Sequence, residues 1–120
     1  MSYRYAVIGY GFIGRRHVET LKKFDESDCV AVCDINTRRL DEVRAFYPDM
    51  PVYLDAKEML ECERLDGVII SANNIAHKDL TVLAAQAGCD IICEKPAALT
   101  VAEFDEMMEA VDAAGVSFTV

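Results

Sequence analysis

The sequence predicts an α/β fold, a doubly wound parallel sheet of strand order 3-2-1-4-5-6 with helices on both faces. Three observations predict it. Short apolar runs alternate with segments of helical period along the whole chain. Most of these runs are continuous rather than alternating, as expected of parallel strands buried on both faces. The first run, Tyr5-Ala6-Val7-Ile8, leads directly into Gly9-Tyr10-Gly11-Phe12-Ile13-Gly14, a G-x-G-x-x-G turn that opens a helical segment.

Strand-like runs occupy residues 5–8, 29–33, 52–54, 68–70, 91–93 and 116–120, and helical patterns lie near 12–24, 37–46, 56–62, 76–87 and 101–114. Repeated β-α-β units imply right-handed crossovers into a parallel sheet. Asp55-x-x-Glu58 and Thr100-x-x-Glu103 have the form of capping boxes. Leu99 and Phe104 can staple the last helix, and Val101, Phe104, Met108 and Val111 form its predicted inward stripe. Gly88 and Gly115 stand where helices should stop.

The length of 120 residues suits one domain, and 52% hydrophobic with 28% charged residues argues against disorder. A net charge of −9 without a basic stripe makes nucleic acid and anionic membranes poor partners. Met1-Ser2-Tyr3-Arg4 passes straight into the first strand, and no apolar run approaches membrane length. A soluble cytoplasmic protein is the expectation. Cysteines 29, 33, 62, 89 and 93 include no C-x-x-C pair, so no metal site is expected. They read as small buried hydrophobes in a reducing compartment, with a redox role as the alternative. The four-residue spacing of Cys29/Cys33 and of Cys89/Cys93 predicts that each pair shares one face of a strand. The sequence stops inside the apolar run 116–120. Residues 1–120 are read as one domain of a longer protein, with a further domain expected beyond Val120. Apolar surface left uncovered by such a domain, and the unpaired edge of the last strand, predict self-association of the isolated domain.

The candidate site follows from the glycine turn. Gly9 permits the tight exit from the strand, Gly11 lets backbone approach a pyrophosphate, and Gly14 lets the helix pack closely on the sheet. Phe12 and Ile13 begin that helix, whose unpaired N–H groups and positive dipole end suit phosphates. Asp34 ends the second run 20 residues after Gly14, where a carboxylate accepts hydrogen bonds from adenosine ribose hydroxyls and repels a 2′-phosphate. Its alternative role is to cap the next helix. Ile35 can cover adenine, while Arg38 and Arg39 keep NADP open beside NAD. After the fourth run, Ser71 and Asn74 face the switch-point crevice. His77 falls in the first turn of the next helix, lining the cofactor or serving structure. After the fifth run comes Glu94-Lys95-Pro96. Lys95 there can bond a substrate oxygen and stabilise developing negative charge, and Pro96 can be cis.

Together these features resemble the Gfo/Idh/MocA oxidoreductases, the glucose–fructose oxidoreductase and inositol dehydrogenase family, over the whole 120 residues. Gly14-Arg15-Arg16-His17 is similar to the family's continuation of the glycine turn. The resemblance implies a Rossmann domain that binds NAD or NADP, and a second α/β domain. It implies oxidation or reduction of hydroxyl groups on sugars, inositols and related compounds. It further implies that Lys95 contacts substrate near the hydride-transfer carbon, that Glu94 positions it, and that Asn74 and His77 line the cofactor site. The family's catalytic Asp and His would then lie beyond Val120. The family loop often reads Thr-Pro-Asn, where this chain has Ala72-Asn73-Asn74. A non-catalytic dinucleotide sensor would share the glycine turn and the acidic residue but would not need Lys95. An S-adenosylmethionine methyltransferase is a weaker alternative, because its loop is usually G-x-G-x-G.

Overall fold

In the computed structural model, which describes residues 2–120, the first strand lies at the centre of the sheet. The chain runs β1 (Tyr3–Ile8), α1 (Phe12–Leu21), β2 (Ser27–Cys33), α2 (Thr37–Phe46), β3 (Val52–Tyr53) and α3 (Ala56–Cys62). It continues through β4 (Gly67–Ile70), a short 3-10 turn (Asn74–Ala76), α4 (His77–Gln86), β5 (Asp90–Cys93), α5 (Val101–Ala114) and β6 (Phe118–Thr119). All five strand pairings are parallel, in the order β3-β2-β1-β4-β5-β6. This is the doubly wound order predicted, with its switch point between β1 and β4.

Alternation along each strand separates two cores. On one face Val7, Val32 and Ile69 pack with Val18 of α1 and Val43 of α2. On the other, Ala6, Ile8, Cys33, Val68 and Ile70 pack with Met59 of α3, Ala84 and Ala85 of α4 and Val111 of α5. Each fully buried large side chain, such as Met59, Ile70 or Ile91, contributes about 1.5–3 kcal/mol of transfer free energy.

Four local expectations are corrected. Cys29 and Cys33 do not share a face: Cys29 packs with Val7 and Val32, and Cys33 with Ala31 and Ile8. Tyr5 pairs with Cys29 but Ala6 pairs with Ala31, so Val30 is an extra residue in β2. An inserted residue reverses the alternation beyond it. The Cys89/Cys93 pair does share one core, although Cys89 lies just before β5 rather than in it. Second, Val101 is 78% exposed and leaves the predicted stripe of α5, whereas Val111 is buried, Met108 packs against the core, Phe104 meets the Phe118 ring edge-on, and Met107 is buried beside them. Third, Asp55 makes no side-chain cap to α3, whereas Thr100 Oγ1 accepts the Glu103 N–H at 3.1 Å as a cap should. Fourth, β5 is not buried on both faces. Its burial alternates, and Ile92 is 37% exposed. The helices α4 and α5 stop at Gly88 and Gly115, whose φ of +79° and +70° suits glycine.

Candidate functional site

At the carboxyl ends of β1 and β4 the strand order reverses and leaves a crevice of about 460 Å³. Gly9, Asp34, Ile35, Arg39, Ser71 and Asn73 line it, with Leu80 and Leu83 forming an apolar wall.

The glycines build its floor. Gly9 has φ +98°, and a Cβ there would stand 2.5 Å from the Ala72 backbone nitrogen. A Cβ on Gly14 would run into the Gly9 carbonyl oxygen. The first turn of α1 therefore sits directly on the glycine turn, a separation that no side chain permits. Ser71 locks this contact by donating its hydroxyl hydrogen to the Gly9 carbonyl at 2.8 Å. Gly11 is the N-cap of α1 and has no capping side chain. The first N–H groups of the helix, at Phe12 and Ile13, are thus left for an outside acceptor. Phe12 is 75% exposed, with the Arg16 guanidinium 5.6 Å from its ring centroid.

Asp34 is buried and multiply bonded. Its Oδ2 accepts the Tyr10 N–H of the glycine turn at 2.7 Å, and its Oδ1 accepts the Asn36 N–H at 2.8 Å. Arg39 Nη1 approaches Oδ2 at 3.7 Å. The cap of α2 is not Asp34 but Asn36, whose Oδ1 accepts the Arg38 N–H at 2.9 Å. A carboxylate offers about four lone-pair sites, so two remain for ligand hydroxyls. Ile35 is 84% exposed at the crevice mouth. Arg39 lines the crevice, its guanidinium 3.2 Å from the position of a Cβ on Gly11, whereas Arg38 is exposed and is not among the lining residues.

Asn74 is exposed and opens the 3-10 turn that precedes α4; Asn73, rather than Asn74, is among the residues that line the crevice. His77 is only 1% exposed. Its Nδ1 lies 2.9 Å from the Pro96 carbonyl oxygen and its Nε2 lies 2.9 Å from that of Ala72. It stands behind the crevice wall and ties the β4 loop to the segment after β5. In that segment Glu94 continues the ladder, its N–H bonded to the Ile70 carbonyl at 2.9 Å. Glu94 Oε1 meets His17 Nε2 of α1 at 2.9 Å. Lys95 is exposed and has no ion-pair partner among the described residues. The Lys95–Pro96 peptide is cis. The sequence reading named His17 only within the continuation of the glycine turn and Arg39 only beside Arg38, and it missed the Asn36 cap. Only the last has a short-range signal, an Asn just before a helical pattern.

Thiols near the crevice are inert. Burial, reinforced by the Asp34 and Asp55 carboxylates, pushes Cys33 up to about 12. Burial and then Glu94 push Cys93 up to about 11. Both stay protonated at neutral pH, and the thiolate is the reactive form. No group of side chains suited to a metal ion occurs among the described residues.

A glycine-cradled helix N-terminus beside a buried carboxylate, at the switch point of a parallel sheet, defines a dinucleotide-binding domain. The oxidoreductase family with an NAD-binding Rossmann fold matches residues 3–120, and the chain belongs to this Gfo/Idh/MocA family. It is 40% identical to a D-apiose dehydrogenase of Paraburkholderia graminis over 96% of this chain and 31% of that protein. It is 34% identical to a myo-inositol 2-dehydrogenase of Thermotoga maritima over 88% of this chain and 32% of that protein. The WlbA dehydrogenase of Bordetella pertussis, solved with NADH and UDP-GlcNAcA, superposes with a TM-score of 0.93 at 25% identity, covering 98% of this chain and 36% of the other. The chain thus spans about a third of the length of these relatives.

Proposed function

We propose that this domain holds NAD in the crevice and forms the cofactor half of an oxidoreductase acting on a hydroxyl-bearing carbon of a sugar or polyol. The observation that carries the reading is Lys95: an exposed cation without an ion-pair partner among the described residues, at the carboxyl end of β5, on the sheet edge that also bears the glycine turn and Asp34. Phe12 and Ile13 N–H groups take the pyrophosphate, Asp34 accepts from the adenosine ribose, and Ile35 covers adenine. Ser71 holds the glycine turn, Asn74 bonds ribose or carboxamide, and His77 supports the wall from behind. The nicotinamide supplies the hydride acceptor or donor. Lys95 bonds the substrate oxygen and stabilises charge that develops there as the hydroxyl proton leaves, while Glu94 fixes the lysine. Residues beyond Val120 supply the substrate wall and the proton acceptor. Arg39 beside Asp34 leaves NADP open as a second cofactor, and Arg38, exposed and not among the lining residues, is not preferred for that task.

Five free cysteines, four of them buried, fit a reducing cytoplasm. No helix is long and apolar enough to cross a membrane. The uncovered face around Ile92 is a surface for the rest of the protein or for a second copy.

Lys95→Ala, in the protein at its full natural length, tests the reading with NAD and with D-apiose or myo-inositol as probes. The expected result is a loss in kcat of about 10²–10⁴ with NAD binding retained. A variant that keeps its rate would remove Lys95 from the reaction, and a parent protein that binds NAD without turning over either probe would favour the dinucleotide sensor.

A further inference from the structure

The chain contains two histidines, and each engages one residue flanking Lys95. His17 reaches Glu94 from α1, 77 positions away in sequence. His77 reaches the Pro96 carbonyl from the start of α4. Neither histidine faces the crevice, and neither is among its lining residues.

We propose that His17 is a positioning residue for Lys95, acting through Glu94, while His77 holds the other flank. The inference rests on the role given to Lys95 above. A carboxylate can only accept, so Nε2 of His17 carries the hydrogen in this contact. The bond joins α1 to the end of β5. Because α1 starts at the glycine turn, one rigid helix then links the phosphate-binding N–H groups to the backbone that carries Lys95. On the far flank the His77 ring lies between the Ala72 and Pro96 carbonyl oxygens, 2.9 Å from each, and its one N–H in the neutral form donates to one of them while the ring packs against the other, so the crevice wall belongs to the same frame. A lysine between two such holds is fixed relative to a bound dinucleotide. Misplacement by about 1 Å can cost on the order of a hundredfold in rate.

His17 is a surface-accessible helix residue, its side chain 26% exposed, so its replacement is compatible with folding. His17→Ala and His17→Leu remove the donor. His17→Gln keeps an N–H that can reach Glu94. Hydrogen exchange across residues 93–97 and kcat with NAD and myo-inositol are read on each variant in the full-length protein. Exchange is expected to accelerate about tenfold in the Ala and Leu variants and to return toward the wild-type rate in the Gln variant. A kcat loss of about tenfold should follow the same pattern. It should vanish in a Lys95→Ala background, since the effect passes through that side chain. Unchanged exchange in both donor-less variants, no rescue by Gln, or a kcat loss that multiplies in full with Lys95→Ala overturns the proposal. Lys95→Ala with a wild-type rate removes the role of Lys95 itself and the positioning claim with it. Faster exchange would then mark the contact as purely structural.

Discussion

Asp34→Ala should destabilise the protein as well as weaken its cofactor binding, and the size of the first effect follows from the geometry. The carboxylate is 6% exposed and accepts two backbone N–H groups, from Tyr10 at 2.7 Å and Asn36 at 2.8 Å. A hydrogen bond to a charged group contributes about 1.5–3 kcal/mol, and truncation leaves both donors without their partner. The Arg39 contact adds little, since that guanidinium is nearly half exposed and 3.7 Å away. The summed loss is about 3–6 kcal/mol, a large part of the roughly 5–15 kcal/mol that holds a domain folded. Asp34→Asn keeps one carbonyl acceptor, so it should lose about half as much. Urea denaturation followed by circular dichroism measures both variants. A loss below about 1 kcal/mol for Asp34→Ala would refute the claim that this carboxylate ties the glycine turn to α2. For ligand binding the Asn variant is the cleaner probe, because the Ala variant disturbs the turn that receives the phosphates.

Gly14→Ala drives a methyl group into the Gly9 carbonyl. It should cost about 1–3 kcal/mol in the same denaturation assay, with weaker dinucleotide binding. Of the five cysteines only Cys62 is exposed. A thiol reagent at pH 8 should therefore modify one cysteine rapidly in the folded protein and all five in denaturant. Rapid modification of two or more in the native state would contradict the burial described. The remaining native thiols should gain reactivity only as pH rises toward the values near 11 and 12 to which burial pushes Cys29, Cys93 and Cys33. That pH profile of labelling rates checks the cause.

The strand order was legible because six apolar runs separated by helical patterns leave few topologies, and the glycine turn marks the first strand. Gly9, Gly14, Gly88 and Gly115 were legible because each answers a local backbone demand. What escaped depends on contacts between distant segments. Val30 looks like any strand residue, and its insertion appears only when β2 is laid against β1. Val101 fits a helical stripe, but α5 meets α4 and the sheet through a face centred on Met107 and Val111. Ile92 belongs to a continuous apolar run, yet 37% of its surface stays exposed. The pairing of His17 with Glu94 spans 77 positions and leaves no local trace. His77 and Arg39 were both in view, but which one lines the crevice depends on how α2 and α4 tilt onto the sheet.

Calorimetric titration of the protein with NAD and NADP in parallel tests the central claim most directly. The account predicts binding of a dinucleotide with NAD preferred, weakened by Asp34→Asn and little changed by Arg38→Ala. Tighter binding of NADP that is abolished by Arg39→Ala would reassign the acidic residue at the end of β2 as a structural tie. Binding of neither would contradict the reading of the crevice as a cofactor site.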